Sequence, residues 1–355
     1  MATQGPFTIL VVNPGSTSTK MALYEEERQT FSHVVRHDAQ ALKKFTDIWS
    51  QFESRVHQIR EWTRASAQQL SAVVGMGGLF RPLQGGTYHV NSRMLEDARA
   101  NLQGEHASNL GCAIAHALAR EYDCEAYVVD PVSVDEFESL ARYSGHPLIQ
   151  RSSLSHALNI HAAARRAVEE LKIPLSSSSL LIAHLGGGIS IAPVRGGRII
   201  DINDASSDGP FSPERTGGLP LQQFITLCFS GTYSEHDVRG LVWGKGGLMA
   251  YLGTNSAMEV EERIQRGDAT AREIYEAMAY QIAKELGAMA TVLKGKVDAV
   301  VLTGGLATSK MLVDWITERV TFLAPILVYP GEDEMRTLAS ETLAVLRGMI
   351  TPLEY

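Results

Sequence analysis

A meander of strands joined by glycine-containing turns occurs twice in this sequence. In the first, an apolar strand at residues 8–12 runs into a turn rich in glycine and serine and then into a second strand near residues 20–24. The segment "FSHVVRH" could add a third strand. In the second, "SLLIAHLGGGISIAPVRGGRIIDIND" (residues 179–204), a triple glycine and a Gly-Gly pair separate three strands. The meanders open about 170 residues apart, a spacing that predicts two halves of related design.

Helical periodicity fills the segments between these strands. Apolar residues recur at helical spacing in residues 106–122, 153–171 and 268–293. The segment "EAYVVD" (125–130) predicts a strand, and residues 297–320 predict a strand, a Gly-Gly turn and a helix. The segment "SETLAVLRGMI" near the end predicts a last amphipathic helix. Strands that alternate with helices indicate the α/β class.

Length, charge and cysteine content narrow the class of protein. The 355 residues suit two domains, each able to bury its own core. The net charge of −8 argues against a nucleic-acid partner, which needs a basic surface. Three scattered cysteines suit neither a disulfide framework nor a zinc site. No basic segment precedes the short N-terminal apolar run, and no apolar stretch is long enough to span a membrane, so we expect a cytoplasmic protein without a membrane partner.

The turn of the first meander, "NPGSTSTK" (residues 13–20, here called the first loop), has the composition of an anion-binding loop. Its backbone N–H groups and the hydroxyls of Ser16, Thr17 and Ser18 can face an anion, with Lys20 near the mouth. It is not a nucleotide P-loop, because the second glycine of that motif is absent and the chain re-enters a strand after Lys20. The alternative is a polar hairpin turn on the surface.

The turn of the second meander, "HLGGG" (residues 184–188, the second loop), strengthens the anion-binding interpretation. Gly186, Gly187 and Gly188 let the backbone approach a ligand closely. His184 beside them becomes a candidate hydrogen-bond donor to phosphate; the alternative is a core histidine. Two glycine-turn loops from two halves could hold one polyphosphate between them.

A third glycine site lies in "LTGGLATSK" (residues 302–310). Gly304 and Gly305 precede a helix predicted to begin at about Ala307. A helix N-terminus with small residues suits the nucleoside end of a nucleotide. The alternative is an ordinary turn between a strand and a helix.

Four segments together resemble a known family: "VVNPGSTSTK", "HLGGGISIAPVRGGRIIDIND", "GPFSPERTGG" and "YPGEDEM". They are similar to the butyrate kinase branch of the acetate kinase group, and the similarity covers essentially the whole chain. The resemblance implies the fold of the sugar kinase, heat-shock ATPase and actin superfamily. That fold has two duplicated, ribonuclease H-like α/β domains, also described as actin/hexokinase-like, around a nucleotide cleft.

The resemblance also implies a reaction, in which ATP and a short-chain carboxylate such as butyrate or isobutyrate give ADP and an acyl phosphate, reversibly, with Mg²⁺. Residues 1–137 and 336–355 would then form an acyl- and phosphate-binding domain, and residues 138–335 a nucleotide-binding domain. A homodimer or a higher homo-oligomer is the implied assembly.

Matching the family's motifs residue by residue assigns the candidate site. Arg215 in "SPERTGG" matches the arginine that faces the transferring phosphoryl group; the alternative is a surface loop arginine. The implied catalytic residues are Arg215, Asp130, His184 and Lys20. The implied nucleotide- and phosphate-binding residues are Asn13, Ser16, Ser18, Gly186, Gly187 and Gly188, to which the third glycine site adds Gly304 and Gly305.

Acidic residues are needed for Mg²⁺, which takes a few carboxylates together with water and phosphate oxygens. Asp130, at the end of a predicted strand, and Glu334, in "GEDEM", match family acids. Glu332 and Asp333 are close enough to confuse the register. The alternative for these acids is a solvated, charged surface.

The sequence departs from the acetate kinase pattern where the substrate is expected. Ser152 stands where acetate kinases have a histidine, four residues before His156, and Arg151 beside it is a candidate replacement. Met76 stands where the glycine motif of the family carries an arginine. Arg81, five residues on, is a candidate to bind the carboxylate, and Met76 could line an apolar acyl pocket or pack in a core. His106, which opens "HASNLG", matches a family histidine near the acyl site. The candidate substrate residues are therefore His106, Arg81, Met76 and Arg151.

Two other functions are consistent with parts of the sequence. The departures at Met76 and Ser152 would suit an ATP-binding regulatory protein on the same fold without transferase activity. Against it, the chain has no additional DNA-binding helix pair, and Arg215 and Lys20 are retained. A Rossmann dehydrogenase is disfavoured, because no G-x-G-x-x-G follows a strand with an acid about twenty residues later.

Overall fold

The computed structural model describes residues 6–42, 44–67 and 69–355 of the chain. The chain divides into unit 1, Met1–Val134 with Asp333–Tyr355, and unit 2, Asp135–Glu332. The domain boundaries expected from the sequence lie three residues further along at each crossing, after residue 137 and after residue 335. The predicted nucleotide cleft stays a prediction.

The strands are β1 (Thr8–Pro14), β2 (Ser18–Glu25), β3 (Arg28–Arg36), β4 (Ala72–Met76), β5 (Thr87–His89), β6 (Glu125–Val129), β7 (Tyr143–His146), β8 (Ile149–Gln150), β9 (Ser179–Leu185), β10 (Ile189–Arg195), β11 (Arg198–Ile199), β12 (Ala299–Gly304) and β13 (Ile326–Pro330). The α-helices are α1 (Ala39–Leu42), α2 (Phe52–Ser66), α3 (Ser92–Arg99), α4 (Asn109–Glu121), α5 (Ala157–Leu171), α6 (Leu221–Cys228), α7 (Glu235–Val242), α8 (Gly247–Leu252), α9 (Ala257–Gln265), α10 (Ala269–Val292), α11 (Lys310–Val320) and α12 (Glu334–Leu346).

Unit 1 is a sheet in the order β3-β2-β1-β4-β6-β5 with helices on both faces. Successive strand residues point to opposite faces. Leu10, Val12 and Leu23 therefore pack on one face with residues of α2 and α4. The other face of β1 packs against α12. Asn13, which alternates with Val12, is directed to the α12 face.

Unit 2 is a sheet in the order β11-β10-β9-β12-β13. Helices α10 and α11 cover one face, where residues such as Leu181, Ile191, Tyr275 and Leu302 are almost completely buried. Helix α5 packs on β9 and β12. The small β7–β8 hairpin forms a separate two-stranded sheet.

The two sheets share one topology. In each, the first strand pairs antiparallel with the second and the second with the third, and two further strands continue in parallel on the other side of the first. The predicted α/β class and the predicted duplication are therefore confirmed. The opening antiparallel hairpins also exclude the disfavoured Rossmann arrangement.

Two predicted helix starts were wrong. The helix expected near Ala307 begins at Lys310, because a 3-10 turn (Gly305–Thr308) comes first and Ser309 then caps the helix by accepting a hydrogen bond from the Leu312 N–H. The last helix begins at Glu334, earlier than the predicted segment "SETLAVLRGMI". Glu334 therefore lies in the first turn of a helix, where a negative charge is favourable, and not in a charged loop.

All three cysteines are free thiols. Burial raises the pKa of Cys112 to about 12 and that of Cys124 to about 11, so both stay protonated at neutral pH.

Within the described ranges, no helix combines the length and the apolar character that crossing a membrane requires.

Candidate functional site

The first loop is a tight hairpin, as predicted. Pro14 pairs with Thr19 across β1 and β2, and the Gly15 N–H donates to the Ser18 carbonyl over 2.7 Å. Ser16 and Thr17, at the tip, are exposed. The hairpin thus presents two hydroxyls and their N–H groups to solvent while its base is fixed by strand pairing.

One face of this hairpin gathers several of the predicted residues. Asn13 pairs with Lys20 across the two strands, so their side chains share a face, and Ser18 joins them by strand alternation. The Asn13 side-chain amide donates to a Glu334 carboxylate oxygen over 2.7 Å, joining residues 321 positions apart in the chain. Lys20 is exposed. Unit 1 therefore brings a cation, an amide and an acid together at the first loop.

Asp130 and Met76 lie at the same edge of the unit 1 sheet as the first loop. β1, β4 and β6 are parallel neighbours, so their carboxyl ends meet at one edge. Met76 ends β4 opposite Val129, and Asp130 follows with φ 38°, a left-handed conformation. Asp130 is 3% exposed, and its carboxylate accepts the Gly86 N–H over 2.7 Å. The Asp130 carboxylate is therefore held in one orientation.

Arg81 and His106 have local partners in unit 1. Arg81 forms an ion pair with Asp97, which also accepts a hydrogen bond from the Tyr355 hydroxyl over 2.8 Å. The His106 Nδ1 lies 2.7 Å from the Ser108 hydroxyl. The charge of Arg81 is thus already compensated by a carboxylate, which weakens its candidacy as the anchor of a substrate carboxylate.

His184 in unit 2 lies in a buried stack of two imidazoles. Its ring centroid is 4.3 Å from that of His156, and the two planes are inclined by 29°. Burial, followed by the proximity of His184 and Arg215, holds the pKa of His156 well below its ordinary value. His184 is 1% exposed, and its Nε2 lies 3.6 Å from a Glu332 carboxylate oxygen. Among the described atoms its Nδ1 has no hydrogen-bond partner, unlike a satisfied core histidine.

Arg215 lies directly against the second loop. A Cβ atom placed on Gly188 would be 2.3 Å from Nη1 of Arg215, so a larger residue there would displace this guanidinium. Nη1 donates to the Ala205 carbonyl over 2.9 Å, and the guanidinium carbon lies 4.0 Å from the Trp243 ring centroid. Burial lowers the pKa of Arg215, an effect that Glu214 and Asp204 oppose. Arg215 is thus half-buried against the second loop, and its catalytic role stays a prediction.

Two carboxylates flank the second loop. Atoms of Glu332 and Glu214 lie 3.5 Å and 3.4 Å from the Cβ positions that Gly186 and Gly187 would have. The acids of "GEDEM" therefore lie at different loops: Glu332 is next to the second loop, and Glu334 is next to the first. Among the described residues there is no group of three or more His, Cys, Asp or Glu side chains that could hold a metal ion by itself.

The Gly304–Gly305 site adjoins the strand that carries the second loop. Gly304 has φ 95°, and a Cβ there would lie 2.4 Å from the Leu185 carbonyl oxygen. Gly304 also exchanges two backbone hydrogen bonds with Gly331. Gly305 opens the 3-10 turn before α11. Unit 2 thus brings two predicted nucleotide-binding segments to one edge of its sheet.

Arg151 is engaged within unit 2. Its guanidinium pairs with Asp201 at 2.9 Å and donates to the carbonyls of Ala141 and Ile202 over 2.7 Å and 2.8 Å. The guanidinium carbon also lies 5.5 Å from the Phe137 ring centroid. These contacts join several segments of unit 2, which gives Arg151 a structural role. Its role in substrate binding stays a prediction.

Sequence reasoning missed the residues that hold Arg215. The Ser212 hydroxyl donates to the Gly187 carbonyl over 2.5 Å and accepts the Arg215 N–H over 3.2 Å, so it ties the arginine loop to the glycine loop. Trp243 covers the guanidinium from a segment 28 positions later. Ser212 lies inside a quoted motif and could have been noticed, whereas no local pattern marks Trp243.

Asp208 yields a prediction about pH. Burial raises its pKa to about 6 from an ordinary 3.8, with Arg151 opposing and Asp204 and Glu285 adding to the increase. The folded state thus prefers the protonated carboxyl, so ionisation costs stability as pH rises from about 4 to 6, and the cost persists above pH 6. We expect Asp208→Asn to raise Tm by about 3 °C at pH 7.5 and to leave it unchanged near pH 4.

Thermal unfolding at the two pH values measures this effect, with the exposed Asp314→Asn as the matched control. An equal change at both values, or a loss of stability at pH 7.5, would contradict it.

Residues 148–324 match the model of the Acetokinase family. The chain is 49% identical over 352 residues to probable butyrate kinase 2 of Caldanaerobacter subterraneus subsp. tengcongensis, covering 98% of this chain and 99% of that protein. It is 46% identical over 353 residues to butyrate kinase 2 of Clostridium acetobutylicum, with the same coverage. The crystal structure of Porphyromonas gingivalis acetate kinase superposes with a TM-score of 0.79 at 18% identity, covering 96% of this chain and all of that one. At that identity the likeness shows the fold, as predicted.

Proposed function

Because the chain belongs to the acetokinase family, we propose that it transfers the γ-phosphoryl group of ATP to a short-chain carboxylate, reversibly, giving an acyl phosphate and ADP. The observation that carries the proposal most directly is Arg215, held against the triple glycine of the second loop. The relatives of this chain that are named as butyrate kinases support a four-carbon acid, butyrate or isobutyrate, as the proposed acceptor.

The proposed reaction needs no strong general base. A fatty carboxylate is already ionised at neutral pH, so the obstacle is bringing two anions together and stabilising the charge on the moving phosphoryl group. Arg215 supplies a fixed positive charge that burial deprives of water, and His184 offers an imidazole beside it. Lys20 supplies a mobile charge at the first loop. Asp130 is proposed to orient the reacting groups.

The nucleotide phosphates are proposed to bind through glycine backbone and hydroxyl groups. Gly186, Gly187 and Gly188 belong to the phosphate site with Arg215, and Gly304 and Gly305 to the nucleoside end. In unit 1, Asn13, Ser16 and Ser18 are proposed to bind phosphate oxygens. Under these assignments both units contact phosphate, unit 2 also binds the nucleoside, and unit 1 also binds the acyl group.

Mg²⁺ fits the donors that unit 1 offers. The ion needs only one or two protein carboxylates when substrate phosphates and water complete its shell. Glu334, fixed by the Asn13 amide, is such a carboxylate, and Asp130 is a second candidate. Bound with the nucleotide, Mg²⁺ would neutralise phosphate charge.

The acyl group is proposed to bind near His106 and Met76, with Arg81 and Arg151 as the weaker candidates. Met76 supplies a flexible apolar side chain at the edge of the sheet that carries Asp130, and such a side chain suits an aliphatic acyl chain. His106 supplies a polar group to the carboxylate. The guanidinium groups of Arg81 and Arg151 already form ion pairs with Asp97 and Asp201, which stabilise the fold.

An acyl-hydroxamate assay tests the proposal. The purified protein is incubated with Mg·ATP, hydroxylamine and acetate, propionate, butyrate, isobutyrate or valerate in turn. Hydroxamate formation that is fastest with the four-carbon acids is the expected result. Absence of product with every acid, while ATP still binds, would overturn it in favour of an ATP-binding regulator, for which the comparisons give no support.

Lys20 gives a prediction about nucleotide affinity. We expect Lys20→Ala to raise KM for ATP by about tenfold, because one charge-assisted contact to phosphate is lost. The effect should shrink as salt is added, since Lys20 is exposed and its field is screened. Steady-state kinetics at two salt concentrations measures it, with Lys296→Ala as the control. Unchanged nucleotide kinetics would remove Lys20 from the phosphate site.

The proposed assembly is a homodimer or a higher homo-oligomer in the cytoplasm. Unit 2 exposes large apolar side chains on two segments: Leu148 and Ile149 are 87% and 67% exposed, and Leu221 and Phe229 are 72% and 85% exposed. Exposed apolar surface of this kind is typical of subunit contacts. Light scattering of the purified protein measures the assembly.

A further inference from the structure

Arg55, on α2, is a buried arginine that has no acidic partner among the residues that the structure describes. It is 2% exposed, and it is the largest of the fully buried side chains in the described chain. Among the described atoms its guanidinium donates only to neutral oxygens: twice to the Gln51 side chain, over 3.2 Å and 2.8 Å, once to the Gly15 carbonyl over 2.9 Å, and once to the Thr19 hydroxyl over 3.0 Å. Buried charges are ordinarily paired, so this one requires an explanation.

The charge of Arg55 is present at neutral pH and is costly. Burial lowers the pKa of Arg55 to about 10, and no neighbouring charge raises it again. A cation whose pKa falls on folding destabilises the folded state at every pH below that value. Nearby His37, 2.9 Å from the Thr19 hydroxyl, brings no negative charge. The folded protein therefore carries an uncompensated positive charge beneath the first loop.

Arg55 also fixes the orientation of one peptide group in that loop. It binds the Gly15 carbonyl from the side of the hairpin that faces α2. In a trans peptide the C=O and the following N–H point in opposite directions. The Ser16 N–H is thereby turned away from Arg55, towards the exposed tip of the loop.

The two faces of the hairpin thus carry different side chains. Thr19 points to the side of α2, where it meets Arg55. Asn13 and Lys20 occupy the opposite face, with Glu334. An anion at the tip would meet an outward-directed N–H group and would also lie close to the buried charge below.

We propose that Arg55 is a positioning residue for the first loop, and that its buried charge is balanced by a phosphate group of the bound nucleotide. This inference rests on the proposed function of the loop. It assigns part of the phosphate affinity to a side chain that does not itself touch the ligand. Because the charge is buried, its contribution is screened little by salt, in contrast to that of Lys20.

Gln51 offers the sharpest test, because Gln51→Glu would place a carboxylate of the same shape against Arg55 without moving it. The new ion pair neutralises the buried charge and satisfies its donors. We expect Tm to rise and ADP binding, measured by isothermal titration calorimetry with Mg·ADP, to weaken by about tenfold or more. Arg55→Gln should weaken ADP binding similarly while lowering Tm, and Arg55→Lys, which retains the charge, should recover most of the affinity. Arg64→Gln, exposed on the same helix, is the matched control.

A purely structural role predicts a different pattern. Gln51→Glu would then be more stable and bind ADP with unchanged affinity, and that result would overturn the inference even if Arg55→Gln failed to fold. Absence of ADP binding by the unmodified protein would overturn it as well. ADP binding needs no acyl acceptor. If ADP binding responds as expected but no acid gives hydroxamate, the proposed kinase function fails and the role of Arg55 stands.

Discussion

Replacing Arg215 with alanine is expected to lower kcat by about 1,000-fold or more while raising KM for ATP only slightly. A guanidinium that faces a transferring phosphoryl group stabilises charge that develops mainly in the transition state, so its loss appears in kcat. The structure suits this role, since the Ala205 carbonyl and the Trp243 ring hold the side chain in place. Steady-state rates of hydroxamate formation at saturating ATP and acid give the comparison.

Arg215→Lys separates charge from geometry. It retains a positive charge but cannot reproduce the planar guanidinium, so we expect it to recover only a small part of the activity. Arg239→Ala, which removes an exposed arginine of α7 paired with Glu235, is the control. A kcat in Arg215→Ala close to that of the unmodified protein would eliminate Arg215 from the catalytic step.

Gly188→Ala is expected to lower kcat by about 100-fold without unfolding the protein. The added methyl group would lie 2.3 Å from Nη1 of Arg215, so the guanidinium must move by about an ångström, a displacement that can cost about this factor. The backbone of Gly188 does not have a positive φ, so alanine is tolerated there conformationally. Circular dichroism and Tm report the fold, and the hydroxamate assay reports kcat.

Gly287→Ala in α10 is the matched control, because a Cβ at that position meets nothing within 4 Å. If Gly188→Ala kept full activity, either the arginine could relocate freely or its contact with the second loop would be irrelevant to catalysis. Combining Gly188→Ala with Arg215→Ala tests whether a loss of activity in Gly188→Ala acts through Arg215, since a shared mechanism predicts that the double variant is little worse than Arg215→Ala alone.

The features predictable from the sequence were those encoded locally. Hydroxyls and glycines between alternating strands marked both loops, and both are the hairpins that the pattern predicts. The duplication was also predictable, because the same order of strands and glycine turns recurs. Local patterns also made Arg215 a candidate, since the glycines of its motif are unusual for a surface loop.

Long-range pairing was not predictable. Nothing near Asn13 indicates that its amide holds Glu334, 321 positions later. The partner of Arg81, Asp97, and the C-terminal Tyr355 beside it are visible only after folding. A signal for Arg55 did exist: it lies between Phe52, Val56 and Ile59, the apolar positions of α2, where a cation must be buried.

Phosphorus-31 NMR with carboxyl-¹⁸O-labelled butyrate and Mg·ATP tests the central claim most directly, because it reports which atom attacks the γ-phosphoryl group. If the carboxylate is the acceptor, its oxygen becomes the bridging atom of the product. The account predicts a new acyl phosphate resonance that carries the isotope shift of one ¹⁸O, together with ADP. Orthophosphate as the product of ATP, without any labelled acyl phosphate, would contradict it.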